Sequence, residues 1–380
     1  MRVIRDALAI APRPTGGAAR ALELAVIIPT LNERANVRPL LDLLDAALAD
    51  IAWEAIFVDD NSSDGTADAV RAIGRVNSRV RVVQRVGRRG LSSAVVEGVL
   101  ASSAPVLAVM DADLQHDERI LPQLFAAVAH DSYDLAVGSR YVAGGGMGEF
   151  AADRVAKSKL ATRLAKPILK TPLTDPMSGF FVISRPAFMA ALPKLSSIGF
   201  KILTDLVASA PGPMRAKEVA FTFRTRQHGE SKLDSAVAWE YLMLLLDKMV
   251  GHVIPVRFLL FAIVGGLGLA VHLSTLGLLN SAIGLKFVIA NTVAVITAMT
   301  FNFVVNNVLT YRDRRLKGWK LLRGLLSFYL VCSVGALANV GIGNYVFKMH
   351  WMWWVAGVAG AVVGAVWNFA ASSIFTWRKG

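Results

Sequence analysis

Two groups of carboxylate and amide side chains stand directly after apolar runs in this sequence. The first is VDDNSSDGT at residues 58–66, and the second is VMDADLQH at residues 109–116. Carboxylates gathered at one place repel one another unless a cation or a donor neutralises them, and hard oxygen ligands suit Mg²⁺ or Mn²⁺ bridging a diphosphate. In an extended segment, residues i and i+2 point the same way. The pattern therefore predicts that Asp111 and Asp113 share one divalent ion, whereas Asp117 suits a helix cap.

Apolar, β-rich runs alternate with helical patterns over the first part of the chain. The runs are LAVIIPT, WEAIFVDD, RVRVVQ, VLAVMDAD and DLAVGSR, each separated from the next by a segment with helical spacing. Such alternation predicts an α/β fold with a mostly parallel sheet and helices on both faces. Ligands bind at the carboxyl ends of the strands in these sheets. The segments 29–33, 59–61, 111–115 and 138–141 are therefore the candidate site.

The last third of the chain has the composition of a membrane domain. Hydrophobic residues make up 54% of the 380 residues, and the mean hydropathy is +0.48. Apolar segments at 256–281, 287–308, 325–347 and 351–375 approach the roughly 20 residues that a helix needs to cross a bilayer. The sequence predicts an α/β domain at 21–233 and an all-α membrane domain of four transmembrane helices at 256–380. Residues 234–255 are expected to form an amphipathic helix on the membrane surface, with the last helix of the soluble fold as the alternative.

Charge asymmetry predicts how the membrane domain is oriented. The connection between the second and third apolar segments is strongly basic, whereas the other two connections contain only Lys286 and Lys348. By the positive-inside rule, the basic connection, the α/β domain and both termini are expected in the cytoplasm. The tryptophans at the two ends of the fourth segment are expected to anchor the chain among lipid head groups: Trp351, Trp353 and Trp354 at its start and Trp377 at its end. The basic residues of the connection are Arg312, Arg314, Arg315, Lys317, Lys320 and Arg323.

The remaining composition limits the partners and the compartment. A formal net charge of +13 is typical of chains that bind nucleic acid, anionic lipid or phosphorylated ligands. With a membrane domain attached, lipid and phosphate are favoured, and no nucleic acid is expected. The single cysteine, Cys332, excludes an intramolecular disulfide. Residues 1–20 carry four arginines and no long apolar core, which predicts a flexible basic arm rather than a secretory signal peptide.

Eight motifs in order carry a resemblance to a known family. They are VIIPTLNE, VDDNSSDGT, GLSSAVVEGV, MDADLQH, VGSRYVAGG, DPMSGFF, GFKIL and FTFRTRQHGESKL, over about residues 24–233. They resemble the polyprenyl-phosphate sugar synthases of glycosyltransferase family 2, the dolichol-phosphate mannose synthase group. The resemblance implies a Rossmann-like GT-A fold and an inverting transfer of hexose from a nucleotide sugar to a polyprenyl or dolichyl phosphate lipid. In the membrane half, RFLLFAIVGGLG, NFVVNNVLTYRD and WNFAASSIFTWR are similar to a GtrA-type four-helix domain.

The resemblance also implies which residues form the site. The implied nucleotide-sugar positions are Pro29, Leu31, Glu33, Val58, Asp60, Asp111, Ala112, Asp113, Arg226 and Lys232. The implied metal ligands, for Mg²⁺ or Mn²⁺, are Asp111, Asp113 and Gln115. The implied contacts of the acceptor phosphate are Arg140, Arg154 and Ser158. Asp111, Asp113, Gln115 and Arg140 form the implied catalytic group.

The implied chemistry needs cations more than acid–base groups. Both substrates are anionic, so a metal for the donor and arginines for the acceptor are needed to bring them together. A phosphate ionised near neutral pH needs no general base, so His116 and His228 are expected in structural or hydrogen-bonding roles.

Several alternatives remain open at this point. GDP-mannose is the favoured donor, with UDP-glucose as the alternative. A lipid-linked sugar translocation module is the alternative from another class of protein. A processive polysaccharide synthase is disfavoured, because the sequence contains no QxxRW motif.

Overall fold

The computed structural model describes residues 20–87, 90–146, 161–196, 199–224, 235–251, 254–350 and 352–378. The chain divides into two compact units, Met1–Met249 and Val250–Gly380. In the described residues the first unit is α/β and the second is helical.

In the described part of the first unit, seven strands form one mixed sheet. They are β1 (Leu24–Thr30), β2 (Trp53–Asp59), β3 (Val80–Gln84), β4 (Val106–Val109), β5 (Leu135–Ser139), β6 (Phe181–Ser184) and β7 (Ala216–Ala220). Their order across the sheet is β3-β2-β1-β4-β6-β5-β7. Among these strands only β6 runs antiparallel to its neighbours. The other six strands therefore end at the same edge of the sheet.

Helices cover both faces of this sheet. They are α1 (Arg34–Ala47), α2 (Thr66–Gly74), α3 (Leu91–Leu100), α4 (Leu121–Ala129), α5 (Arg185–Ala191), α6 (Ile202–Ser209) and α7 (Ser235–Val250). Side chains of β1 alternate between two apolar cores: Ile28 packs in the cluster that contains Leu40 of α1, and Ile27 packs in the cluster that contains Val95 of α3. A strand buried on both faces has a continuous apolar sequence, which explains the run LAVIIPT.

The sequence predicts five of the seven strands, and the structure confirms all five. It does not predict β6, which has only four residues, or β7, whose sequence AKEVA alternates weakly and is mostly half-buried. The mostly parallel α/β fold is confirmed, and β6 is the antiparallel exception.

The helix α7 packs on the first unit. Its Lys248 Nζ lies 2.6 Å from Oδ1 of the buried Asp205, and its Tyr241 hydroxyl donates to the carbonyl oxygen of Ala161 at 2.8 Å. Leu244 and Leu245 are buried. These contacts are those of a last helix of the soluble fold, which is the alternative stated for residues 234–255. Placement of this helix on a membrane surface remains a prediction.

Among the residues that the structure describes, four helices of the second unit are long and apolar enough to cross a membrane. They are α8 (Val256–Gly277), α9 (Phe287–Val308), α10 (Trp319–Lys348) and α11 (Trp353–Ala371). The helix α10 begins before the predicted start at residue 325, because part of the basic connection is helical. Wider turns at Leu278–Ala282 and Ser372–Thr376 extend α8 and α11.

Trp377 lies in the aromatic core of the second unit. It is 0% exposed, and its ring stacks on Tyr311 with 4.1 Å between ring centroids. Its Nε1 donates to Oδ1 of Asn307 at 3.1 Å, and the same cluster contains Phe261, Phe303 and Phe328. The predicted role of Trp377 as a head-group anchor is therefore wrong: its indole N–H has a partner inside the protein, so burial leaves no polar atom unsatisfied.

Candidate functional site

The strand ends that the sequence indicates lie at one edge of the sheet. In the parallel register Thr30 of β1 stands opposite Asp59 of β2, and Ile27 stands opposite Val109 of β4. The strand β5 runs parallel to β4, because both are antiparallel to β6. The segments after β1, β2, β4 and β5 therefore leave the sheet together.

The segments after β1 and β2 are tied to each other. The backbone N–H of Asn32 donates to Ser62 Oγ at 2.8 Å, and Asn32 Oδ1 accepts from the N–H of Ser63 at 3.0 Å. Asn32 and Asn61 have φ values of 55° and 57°. Asparagine tolerates this left-handed conformation better than most residues. The asparagines of VIIPTLNE and VDDNSSDGT therefore allow the turns that bring the segments after β1 and β2 into contact.

Four of the implied nucleotide positions, Pro29, Leu31, Glu33 and Val58, lie at or next to the ends of β1 and β2. Pro29 and Val58 are opposite one another in register, and Leu31 is half-buried just after β1. Glu33 Oε2 accepts from Asn36 Nδ2 at 2.7 Å. Their placement is compatible with a nucleotide site, and their role in binding remains a prediction.

Asp60 forms a buried ion pair. Its Oδ1 lies 2.8 Å from Nη1 of Arg85, whose side chain is 1% exposed. Its Oδ2 accepts from the N–H of Gly90 at 2.8 Å. Asp60 therefore holds the start of α3 in place, a structural use that the family resemblance does not indicate.

Asp111, Ala112, Asp113 and Gln115 lie in a bend after β4. The chain bends at residues 112–114, and Leu114 has a φ of 62°. The expected extended geometry is therefore wrong, because the backbone turns at the second aspartate. The turn lets the N–H of Gln115 donate to Asp113 Oδ1 at 3.2 Å. Asp113 and Ala112 are buried, and Asp111 is half-buried.

Two neighbours fix the position of Asp111. A Cβ atom on Gly179 would lie 3.0 Å from Asp111 Oδ2, so the backbone of the DPMSGFF motif passes close to this carboxylate. The N–H of Asp111 donates to Nδ1 of His116 at 3.2 Å, and the imidazole stacks on Phe180 at 5.0 Å. Burial lowers the pKa of His116 to about 4, with a smaller lowering from Arg140 and an opposing contribution from Asp113. His116 is neutral at neutral pH and serves as an acceptor, which is the hydrogen-bonding role expected for it.

A second connection fixes Gln115 and Asp117. Gln115 Nε2 donates to the carbonyl oxygen of Arg224 at 3.0 Å, while the Arg224 guanidinium lies 2.7 Å from both Asp117 and Glu118. Asp117 also accepts from the N–H of Arg119 at 3.2 Å and begins a short turn that leads into α4. The hydrogen bond from the Arg119 side chain, assisted by Arg224, holds the pKa of Asp117 below its usual value. The predicted helix cap is confirmed.

Arg140 directly follows β5 and pairs with a buried aspartate. Its Nε and Nη2 each lie 2.7 Å from an oxygen of Asp175, whose side chain is 0% exposed. The guanidinium also lies over the ring of Phe223 at 5.7 Å. The sequence pattern indicates Arg140 but not Asp175, although DPMSGFF contains this aspartate.

Lys201 is a further cation near Arg140, and the sequence pattern does not predict it. Its Nζ donates to the carbonyl oxygen of Met177 at 3.2 Å. Burial lowers the pKa of Lys201, and the charge of Arg140 lowers it further, while Asp111 and Asp175 oppose the shift. The structure thus brings together a charged cluster of Asp111, Arg140, Asp175 and Lys201. The one indication in the sequence is a lone lysine between apolar residues in GFKIL.

Several predicted site residues lie outside the described residues. They are Arg154, Ser158, Arg226, Lys232 and His228, together with residues 1–19 of the predicted basic arm. Their roles remain predictions.

The side chains after β4 have the donor chemistry that a hard divalent cation prefers, and that Asp111, Asp113 and Gln115 share one ion remains a prediction. Asp111 and Asp113 offer carboxylate oxygens, and Gln115 can offer its amide oxygen, because its amide nitrogen donates to Arg224. In the part of the chain that the structure describes, no group of three His, Cys, Asp or Glu side chains could hold a metal ion. Two carboxylates and one amide would leave coordination positions for substrate oxygens and water, as Mg²⁺ and Mn²⁺ sites commonly do.

Comparisons with known proteins agree with the two-unit organisation. A model of glycosyl transferase family 2 matches residues 25–191, and a model of the GtrA/DPMS transmembrane domain matches residues 260–377. A dolichol-phosphate mannosyltransferase of Pyrococcus furiosus is 33% identical over 359 residues, which cover 94% of this chain and 99% of that protein. A dolichol-phosphate mannosyltransferase of Saccharomyces cerevisiae is 38% identical over 239 residues, covering 60% of this chain and 88% of that protein. A protein of the same name from Mycosarcoma maydis is 37% identical over 249 residues, covering 63% and 84%.

Proposed function

Because this chain belongs to the dolichol-phosphate mannosyltransferase family, we propose that it transfers mannose from GDP-mannose to a polyprenyl or dolichyl phosphate. The chain is a glycosyltransferase and an integral membrane protein. The proposal places the α/β unit and both termini in the cytoplasm, because the basic connection between α9 and α10 is expected on that side. The transfer inverts the configuration at the sugar C1.

The charged cluster at the strand ends is the observation that best supports this function. Two anionic substrates repel each other, so a site that joins them needs fixed positive charge. Arg140 supplies such a charge, and its two hydrogen bonds to Asp175 orient the guanidinium before substrate arrives. Lys201, which donates to the carbonyl oxygen of Met177, adds a second cation, and the charges of Asp111 and Asp175 act to raise its pKa.

In the proposed reaction, a phosphate oxygen of the lipid attacks C1 of the sugar. The bond between C1 and the nucleoside diphosphate breaks, and its electron pair leaves with the diphosphate. No proton is transferred, because the attacking phosphate is already ionised near neutral pH. Asp111, Asp113 and Gln115 would hold the divalent ion, which, when bound, stabilises negative charge on the leaving group.

The other residues of the cluster position these groups. Arg140 would bind the acceptor phosphate and hold it in line with C1. Lys201 would offset negative charge as the two substrates approach. His116 keeps the backbone of Asp111 in place through its neutral Nδ1. Arg154 and Ser158 are proposed to complete the acceptor site, and Arg226 and Lys232 the donor phosphate site.

The test is sugar transfer by the purified full chain in detergent. Labelled GDP-mannose and UDP-glucose are each supplied with a short polyprenyl phosphate and Mn²⁺, and chloroform-soluble label is counted. We expect labelled lipid from GDP-mannose. Product from UDP-glucose alone would replace the donor in the proposal, and the absence of product from either donor would overturn the function.

A second arm of this test separates the two phosphate sites. Arg154→Ala is expected to raise the lipid concentration needed for half-maximal transfer and to leave GDP-mannose binding unchanged. Loss of GDP-mannose binding in this variant would mean that Arg154 belongs to the donor site instead.

A further inference from the structure

A pocket of about 490 Å³ lies at one end of the second unit. It is formed by the connection between α9 and α10 together with the turn and the residues that follow α11. The lining residues are Arg314, Ser373, Ile374, Phe375 and Arg378. Pockets of this volume are large enough for a small ligand. The charged residues of this lining are both arginines, so the pocket favours an anion.

Hydrogen bonds hold together the two segments that carry these arginines. Arg314 Nη1 donates to the carbonyl oxygen of Trp377 at 3.2 Å, and Arg378 directly follows Trp377 in the sequence. The hydroxyl oxygens of Tyr311 and Ser373 lie 2.7 Å apart. Both segments are therefore in place before a ligand binds, which lowers the entropic cost of binding.

The donors that the pocket offers are the guanidinium groups. The hydroxyl of Ser373 donates to the carbonyl oxygen of Phe369 at 2.8 Å, so its proton is used inside the helix. A guanidinium has five N–H donors in one plane, and the bond to Trp377 uses one of those of Arg314. Arg378 is exposed. Planar donors of this kind bind phosphate through two parallel hydrogen bonds, so a phosphate matches the pocket in charge and in geometry.

The sequence around the pocket contains many cations and few carboxylates. Residues 250–380 include eleven lysines and arginines and one acidic side chain, that of Asp313. Like charges that line one pocket repel each other, and an anion in the pocket removes this repulsion. One carboxylate cannot balance eleven cations. An anion supplied from outside this unit is therefore favoured at the pocket.

The pocket lies where an apolar span ends. The candidate span that includes α11 ends at Thr376, and Arg378 follows two residues later. Ile374 and Phe375 belong to this span and are 60% and 67% exposed, so they contact hydrocarbon in a bilayer. Cations at the level of the head groups attract anionic lipids. A lipid has its phosphate and its hydrocarbon chain in the same arrangement, whereas a soluble phosphate would leave the apolar side chains uncovered.

We propose that this two-arginine pocket binds the phosphate of an anionic membrane phospholipid, with an acyl chain along Ile374 and Phe375. The acceptor phosphate of the proposed reaction has its predicted contacts in the α/β unit, so the pocket is assigned to a lipid that is not the substrate. Binding is measured without nucleotide sugar or metal, and its outcome is therefore independent of the proposed transferase activity.

The experiment is native mass spectrometry of the full chain, released from a polyoxyethylene detergent. The probes are dioleoyl phosphatidic acid and dioleoylglycerol, which differ only in the phosphate. We expect one tightly bound phosphatidic acid per chain and no bound dioleoylglycerol at the same concentration. Arg314→Gln with Arg378→Gln should weaken phosphatidic acid binding about tenfold or more, the loss expected for one or two charge-assisted hydrogen bonds. Equal binding of the two probes by the wild type would overturn the proposal.

A matched double variant separates the pocket from the general charge of this unit. Arg312 and Arg323 are exposed residues of the same basic connection and are not among the lining residues. Arg312→Gln with Arg323→Gln removes the same charge and should bind phosphatidic acid as the wild type does. Equal weakening in the two double variants would assign the binding to the charge of the whole connection and would overturn the pocket.

A single variant decides the matter if the first double variant does not fold. Arg378 is exposed, so Arg378→Glu leaves the bond from Arg314 to Trp377 in place and should keep the melting temperature of the wild type. It should still weaken the binding of phosphatidic acid, whereas Arg323→Glu, its matched control, should not. Wild-type affinity in Arg378→Glu would contradict the proposal.

Competition then tests whether the ligand is a phospholipid. Dioleoyl phosphatidylglycerol, a short polyprenyl phosphate and inorganic phosphate are each added against bound phosphatidic acid. We expect displacement by phosphatidylglycerol and none by inorganic phosphate at the same concentration. Stronger displacement by the polyprenyl phosphate than by phosphatidylglycerol would assign the pocket to the acceptor and overturn the phospholipid assignment. Equal displacement by inorganic phosphate would indicate a site for a free anion and would also overturn it.

Discussion

Arg140 and Asp175 form a two-point ion pair in which both nitrogen–oxygen distances are 2.7 Å. Asp175 is entirely buried, and the Arg140 side chain is 14% exposed. The pair joins the end of β5 to the DPMSGFF motif, two segments that are 35 residues apart in sequence. Two motifs of the family resemblance thus form one piece of the site, in which the aspartate orients the arginine.

Replacement of Asp175 by asparagine should destabilise the protein and slow transfer. Removal of one partner from a buried ion pair leaves the other charge uncompensated, at a cost of about 3 kcal/mol. Asp175→Asn should therefore lower the apparent melting temperature and reduce kcat for transfer. The matched control is Asp131→Asn, which breaks the exposed pair with Lys217 and should change stability by less than about 1 kcal/mol. Equal behaviour of the two variants would contradict the role given to Asp175.

Replacement of Gly179 by alanine should weaken metal use without unfolding the protein. The added Cβ would lie 3.0 Å from Asp111 Oδ2, so the carboxylate must move by a few tenths of an ångström. Displacement of a metal ligand should raise the Mn²⁺ concentration for half-maximal transfer about tenfold. Gly212→Ala is the control, because nothing lies within 4 Å of a Cβ at that position. An unchanged Mn²⁺ requirement in Gly179→Ala would contradict the role of Asp111 as a metal ligand.

The neutral His116 should make stability depend on pH. Its pKa in the folded protein is about 4, and the ordinary value is 6.5. Between these values the unfolded chain binds a proton that the folded chain does not bind, so stability is fully present above pH 6.5 and falls as the pH decreases toward 4. The loss over this range amounts to about 3 kcal/mol.

Melting temperatures in metal-free buffer at pH 7 and pH 5 measure this effect. The difference between the two temperatures should shrink in His116→Asn, which keeps an acceptor for the N–H of Asp111 and removes the titrating ring. His130→Asn, at an exposed position, should behave as the wild type does. The same pH dependence in His116→Asn as in the wild type would contradict the assignment.

Replacement of Trp377 by alanine should destabilise the second unit. Its ring is fully buried and stacks on Tyr311 at 4.1 Å, and loss of a buried tryptophan costs about 3–5 kcal/mol. Trp319→Ala is the control, because Trp319 is 79% exposed and should have a small effect. The apparent melting temperature of the full chain in detergent gives the comparison, and a larger drop for Trp319→Ala would contradict the burial of Trp377.

The sequence predicts the architecture well because the spacing of apolar residues indicates which faces of a strand or helix are buried. Strands such as β1 and β2 are buried on both faces, which requires continuous apolar runs, and the four apolar helices require about 20 apolar residues each. Short or edge strands such as β6 and β7 carry no such pattern. Their place depends on partners that are distant in the chain.

The site is predictable only in part, for a similar reason. Asp111, Asp113 and Gln115 lie in the segment that follows β4, and Arg140 directly follows β5, so the topology alone indicates them. Asp175 and Lys201 reach the cluster from segments without a strand-end position, and only tertiary contacts identify them.

Two local geometries also depend on contacts that the sequence does not record. The bend at residues 112–114 requires a left-handed Leu114, a conformation that leucine rarely adopts. Trp377 follows an apolar helix and precedes a basic end, which is the pattern of an interfacial anchor. Its burial depends on Tyr311 and Asn307, far away in the chain.

The central claim is that the carboxylates after β4 support metal-dependent mannosyl transfer, and two aspartates of the same stretch test it. Mannosyl transfer from GDP-mannose to a short polyprenyl phosphate is measured over a range of Mn²⁺ concentrations for the wild type, Asp113→Asn and Asp117→Asn. Asp113→Asn should reduce transfer about 100-fold or more. Asp117→Asn should retain most of the activity, because asparagine is also a good helix cap. Normal turnover in Asp113→Asn, with the same Mn²⁺ dependence as the wild type, would contradict the claim.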